Sequence, residues 1–329
     1  MSKKKYIFPV AIVLCVTGSL LSLCLGAARL SLAELWQAVM SGPVSTGGYI
    51  FWYSRLPRTC ACLLAGAALS CAGCILQSVL GNKLASPGII GVNAGAGLAV
   101  TICCAVGALS GWVISIASFG GAMVSVLVVV LLAKKTGASR TTVILSGVAM
   151  NNILGALRDA VTVLVPETAM LSNEFRVGSF SSVVASRLLP AGVLILISII
   201  IVMTLCNELD VMALGEETAT SLGLSVKKLR ILFLILAAVL AGATVSFAGL
   251  LGFVGLLIPH MVRKFTGGES RYLLPASALL GAGFVTVCDL ASRMLFVPYE
   301  LPVGILMSVI GGPFFLCLLF KKKGGHHHA

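Results

Sequence analysis

LAGAALSCAG (Leu64–Gly73) recurs as LAGATVSFAG (Leu240–Gly249), with seven of ten positions identical and an eighth exchanging Leu for Val. Both copies sit inside long apolar segments. Small residues are common in membrane helices, and Gly66, Ser70 and Cys74 make a small-xxx-small stripe that lets helices approach closely. That explains the small residues but not the ordered identities. A proline-containing break follows each copy, at Ser86-Pro87-Gly88 and at Ile258-Pro259.

Outward from the repeat, the chain is mostly apolar. Of 329 residues, 58% are hydrophobic and 10% charged, against roughly 25% charged in a soluble domain. A spanning helix needs about 20 apolar residues. The sequence predicts an all-α polytopic membrane protein with ten helices, near 6–26, 56–80, 88–108, 112–133, 141–164, 189–206, 229–248, 250–264, 273–297 and 302–320. The eighth is short and broken by Pro259. The first follows Lys3–Lys5 and lacks a small-x-small cleavage site, so it reads as a retained helix rather than a signal peptide. The closing GGHHHA, 324–329, reads as a purification-tag remnant, which leaves His260 as the one native histidine.

With the N-terminus in the cytoplasm, sixteen Lys and Arg fall on the inner side and seven, Arg29, Arg55, Arg58, Arg158, Arg176, Arg187 and Arg293, on the outer. The positive-inside bias therefore predicts both termini inside. The first repeat copy then runs inward on helix 2 and the second outward on helix 7. Oppositely directed copies predict an inverted-topology repeat, helices 2–5 against 7–10, which is a transporter feature.

The net charge of +12 is spread in short clusters between apolar spans, so it reads as orientation and lipid contact rather than nucleic-acid binding. Nearly all eleven cysteines lie in apolar runs, where Cys acts as a small hydrophobe. The Cys71/Cys74 pair has no second pair or histidine at zinc-site spacing. No phosphate-binding G-x-x-x-x-G-K-[ST] loop occurs, and His260 has no Ser/Asp set around it. Charges inside spans are few: Asp289 and Arg293, four apart and able to pair, and Arg158 and Asp159 on helix 5. Asp289 beside a cation makes a weak relay for an ion-coupled carrier.

Energy then has to come from outside the chain. The stretch GEETATSLGLSVKKLR, Gly215–Arg230, holds five charged residues between apolar flanks. Glu216 and Glu217 suit a helix N-terminus, Gly223 permits a turn, and Lys227, Lys228 and Arg230 mark the inner start of helix 7. This reads as a short helix on the cytoplasmic face, within a segment 207–228, exposed for docking.

Four stretches resemble the FecCD-type permease subunits of binding-protein-dependent ABC importers, across nearly all of 5–322. They are RLPR (Arg55–Arg58) with LAGAALSCAGCILQSVLGNKLASPGIIGVNAGAG (Leu64–Gly97), GEETATSLGL, FVGLLIPHMVR (Phe253–Arg263) and ELPVGILMSVIGGPFF (Glu300–Phe315). The resemblance implies ten helices per subunit, a homodimer with the pathway at its seam, and a place in the bacterial cytoplasmic (inner) membrane. It implies two cytoplasmic ATP-binding subunits, which hold the ATP and Mg, and an extracytoplasmic substrate-binding protein. This chain itself would bind no cofactor or metal.

By the same resemblance, Gly215, Glu216, Glu217, Ala219, Leu222 and Gly223 couple to the ATPase. Arg55, Arg58 and Arg293 receive carboxylates of the binding protein, and Asn82, Ala138 and Ser139 form the cytoplasmic gate. Arg176 stands where the family usually has an aromatic. The implied cargo is an iron–siderophore or related large metal chelate, with cobalamin or haem as alternatives within the type. An ion-coupled secondary carrier is the reading from another class, and a membrane enzyme lacks any catalytic set.

Overall fold

The structure, a computed structural model, describes residues 2–26, 31–135 and 139–323. Ten long helices carry it: α1 (Ser2–Cys24), α2 (Leu56–Val79), α3 (Val92–Ala105), α4 (Gly111–Lys135), α5 (Arg140–Leu164), α6 (Ala185–Thr204), α7 (Val226–Ala248), α8 (Val254–Thr266), α9 (Ser270–Met294) and α10 (Val303–Lys323). Each matches an expected segment to within a few residues. No strand occurs among the described residues.

Among the described residues, six helical stretches are long and apolar enough to cross a membrane: Tyr6–Cys24, Thr46–Val79, Gly111–Lys135, Ala185–Thr204, Val226–Ala248 and Ser270–Met294. Their burial sorts them. The α2 stretch is 78% buried and that of α1 only 22%, so α2 is the axis of the protein and α1 lies at its rim.

Glycines explain how α2 can be surrounded. Gly66 meets the Gly281 backbone of α9, and Gly73 meets the Gly255 backbone of α8; neither has room for a Cβ. Gly95 of α3 and Gly121 of α4 face each other in the same way. Without a hydrophobic drive between helices in lipid, such close backbone approach supplies much of the attraction. α7 completes the ring on α2, and α6 packs on α7.

The inverted repeat appears as paired contacts. Gly66 of α2 faces α9, and its counterpart Gly242 of α7 faces Ala122 and Phe119 of α4. Gly147 of α5 fits against Ile89 and Ile90 just before α3, as Gly311 of α10 fits against Phe253 just before α8. The entries to α3 and α8 both use a left-handed residue, Gly91 at φ 91° and Phe253 at φ 64°. Phe253 is the one non-glycine with positive φ among the described residues.

Short helices fill the connections. Leu32–Ser41 opens with a capping box: the Glu34 N–H donates to Ser31 Oγ at 3.3 Å and the Ser31 N–H donates to Glu34 Oε2 at 2.7 Å. These bonds hold the Glu34 carboxyl below its ordinary pKa. The Trp52 indole N–H donates to Ala38 O at 2.9 Å, tying this helix to the π-helical turn Ile50–Arg55 that leads into α2. The apolar pattern alone does not assign these connections.

Candidate functional site

At one end of the bundle, Cys206–Ala213 and Glu216–Ser221 form two short helices between α6 and α7. Gly215 enters the second at φ 124° and Gly223 leaves it at φ 84°. The exit is a closed turn, with Leu224 N–H on Ala219 O at 3.1 Å and Gly223 N–H on Thr220 O at 2.9 Å. Ala219 is fully buried, whereas Glu217 and Leu222 are exposed. The segment thus rests on Ala219 and presents Glu217 and Leu222 outward.

Polar ties hold this segment to the long helices. Arg230, at the start of α7 and buried, donates to Glu216 Oε2 at 3.0 Å. Asp210 Oδ1 accepts from the Ser270 N–H at the start of α9, at 2.8 Å. Arg140, the first residue of α5, donates through Nη2 to Met212 O at 2.7 Å.

The two segments expected at the gate meet here. Asn82 Oδ1 accepts from the Leu84 N–H at 2.9 Å, which shapes the turn after α2. Ser139 caps α5, its Oγ accepting from the Thr142 N–H at 3.1 Å. Gly81, beside Asn82, lies directly against the guanidinium of Arg140, beside Ser139. Ala138 lies outside the described residues.

A second polar cluster gathers Arg55, Arg58 and Arg293. Asp289 of α9 is fully buried. Arg58 donates to both its oxygens, at 3.0–3.1 Å, and through Nη1 to Glu300 at 2.8 Å. Arg293 pairs with Asp289 at 3.1 Å, four residues on along α9. Arg293 Nη2 also donates to Ser22 Oγ at 2.8 Å, and Arg55 Nη1 donates to Leu23 O and Cys24 O at 2.6 Å each. The last carbonyls of a helix have no partner within it, and positive charge suits that end. Two guanidiniums therefore cap α1. Removing one partner of such a buried pair costs about 3–5 kcal/mol, because the other charge is left uncompensated.

With this geometry in view, the chain matches the profile of the FecCD transport family over residues 14–321. The chain belongs to the FecCD transport family. Relatives include the Fe(3+)-citrate import system permease protein YfmE of Bacillus subtilis, 37% identical over 82% of each chain. The Fe(3+) dicitrate transport system permease protein FecD of Escherichia coli is 36% identical, over 84% of this chain and 86% of FecD. The hemin transport system permease protein HmuU of Yersinia pestis is 31% identical over 95% and 94%. A solved inward-facing structure, assigned to the metal-chelate type of ABC transporter, superposes with a TM-score of 0.86 at 28% identity, over 96% of this chain and 99% of that one. PsaBC of Streptococcus pneumoniae, at 15% identity and a TM-score of 0.55, shares the fold over 82% and 92%.

This FecCD protein is the membrane permease subunit of an ABC importer, with ATP hydrolysed in a separate subunit. Its structure brings the arginines expected at the mouth into one cluster, but not as a surface patch. Arg55 and Arg293 are 4% and 5% exposed, with their charge turned onto α1 and Asp289; the side chain of Arg58 is 11% exposed and its partner Glu300 40%. Sequence reasoning missed Glu300, Ser22, Asp210 and Arg140. A signal existed for Asp289, since a carboxylate within a span needs a partner; the second partner, Arg58, lies too far off in sequence to be found by spacing.

Proposed function

We propose that this permease carries a ferric chelate, an iron–siderophore or iron–citrate type of cargo, into the cytoplasm across a bacterial inner membrane. Cobalamin or haem is the alternative cargo. YfmE and FecD support the iron reading and HmuU the haem one. Two copies of the chain pair, with α5 at the seam. The observation that carries this is the exposure of α5: only Val143 and Gly147 are buried, while the helix bears Asn152, Arg158 and Asp159 on its open side. Arg158 and Asp159 pair at 2.8 Å on its outer surface. Polar side chains facing lipid are costly within a span, so exposed Asn152, with the Arg158–Asp159 pair near the outer end of α5, favours a second subunit and a wet pathway against this face.

In this reading both termini are cytoplasmic. Gly215–Gly223 docks on the ATPase subunit, Asn82 with Ala138 and Ser139 gates the inner end, and Arg58 with Glu300 meets the binding protein while Arg55 and Arg293 hold the mouth in shape. The test is uptake of radioiron-labelled ferric citrate and of a ferric hydroxamate into liposomes holding the full complex. Uptake requires ATP, the ATPase subunit and the binding protein, and Glu217→Lys, at an exposed site, lowers it by about tenfold or more through like-charge or lost contact at the docking face. Uptake driven by an ion gradient with no ATPase subunit overturns the reading.

A further inference from the structure

We propose that Arg140 is the joint through which movement of the coupling helix reaches the cytoplasmic gate. The proposal rests on the coupling and gate assignments made above. One guanidinium touches all three pieces. Through Nη2 it donates to Met212 O at 2.7 Å, and Met212 is buried at the end of the short helix just before Gly215 and Glu216–Ser221. Through Nη1 it lies against Gly81; a Cβ on that glycine would sit 2.5 Å from the nitrogen. Its own backbone is the first turn of α5, immediately after the Ser139 cap.

Gly81 adjoins Asn82, so both gate loops and the coupling segment share one planar side chain. A guanidinium has donors in a fixed fork and can hold a carbonyl with one arm while the other arm abuts a neighbouring backbone; a lysine ammonium, a point charge on a flexible stem, cannot do both. Gly215 N–H bonds back to Met212 O at 3.4 Å. The carbonyl that Arg140 grips is therefore also the one on which the coupling helix hinges. Displacing Glu216–Ser221 moves Met212, and Met212 draws Arg140 together with the start of α5 and the turn at Gly81.

The experiment uses the full complex, with permease and ATPase subunits reconstituted in lipid and the binding protein added. Spin labels at Asn82→Cys, in a background lacking native cysteines, report the distance between the two copies with and without ATP. Uptake per ATP hydrolysed is measured in parallel. In Arg140→Ala the ATPase subunit remains bound, the ATP-dependent distance change collapses, and uptake per ATP falls about tenfold, within the range by which coupling residues act. Gly81→Ala, which drives a methyl into the guanidinium, gives the same signature and decides the matter where Arg140→Ala fails to fold into the membrane. Lys83→Ala removes an exposed neighbouring charge and leaves the ratio unchanged. A wild-type ratio and distance change in both Arg140→Ala and Gly81→Ala overturn the joint, as does loss of ATPase binding in Arg140→Ala, which makes Arg140 a docking scaffold. A wild-type complex whose Asn82 distance ignores ATP overturns the gate assignment and the joint with it.

Discussion

Gly73 and Gly249 each end one copy of the same ten-residue sequence, yet the chain uses them differently. Gly73 lies within α2, which runs on to Val79, and it serves as a contact surface for the Gly255 backbone. Gly249 lies just past α7, at φ 69°, and serves as a turn. Its neighbour Leu250 donates its N–H to Phe175 O at 2.9 Å, so the chain is held as it leaves the helix. The difference originates downstream of each glycine. Gly73 precedes CILQSV, which includes good helix formers, whereas Gly249 precedes LLGFVG, where Gly252 and the left-handed Phe253 break the helix. Identical residues therefore fix the helix, and the next six decide whether it continues.

The comparison breaks most sharply at Gly73. Gly73→Ala places a methyl in the Gly255 backbone, which has no flexible end to yield. Stability is expected to fall by about 3 kcal/mol, seen as a lower thermal unfolding midpoint of the purified subunit and reduced yield from the membrane. Gly249→Ala comes next, at about 2 kcal/mol: a left-handed alanine is strained, and its methyl would sit 2.5 Å from Phe175 O. Gly242→Ala is the mildest. Its nearest neighbours are the Ala122 and Phe119 side chains at 3.4 Å, so the change stays within about 0.5 kcal/mol. Equal losses at Gly73 and Gly249 would remove the distinction between contact and turn, and a severe Gly242→Ala would make the two halves alike in packing.

The helices themselves were legible because length and apolar content suffice in a lipid setting, and the repeat was legible because its identities are ordered. The segment expected to dock the ATPase, Gly215–Gly223, stood out as a charged stretch between apolar flanks, with glycines at both ends that the backbone uses at positive φ. The pair Asp289–Arg293 was legible from its spacing along a helix. Other features depend on where separate helices come to lie. Arg55 and Arg293 read as outward charges, yet both turn inward because α1 ends beside them with carbonyls to satisfy. The capping box at Ser31 and Glu34 carried a readable S-x-x-E signal in a stretch too short to count as a span. Arg140 looked like one more positive charge at a helix start; only the fold sets Met212 and Gly81 on either side of it.

Phe253 and Gly91 hold equivalent places, one strained and the other not. A left-handed conformation costs a residue with a side chain about 1–2 kcal/mol, while glycine adopts it freely. The ring of Phe253 is seated where Gly311 lacks a side chain, so packing against α10 helps hold the strained turn before α8. Losing that packing would leave the turn free to relax to a right-handed backbone. The turn before α3, with Gly91, stores no such strain. The two halves of the repeat thus carry unequal backbone strain, and two such chains facing each other would bring one strained turn apiece.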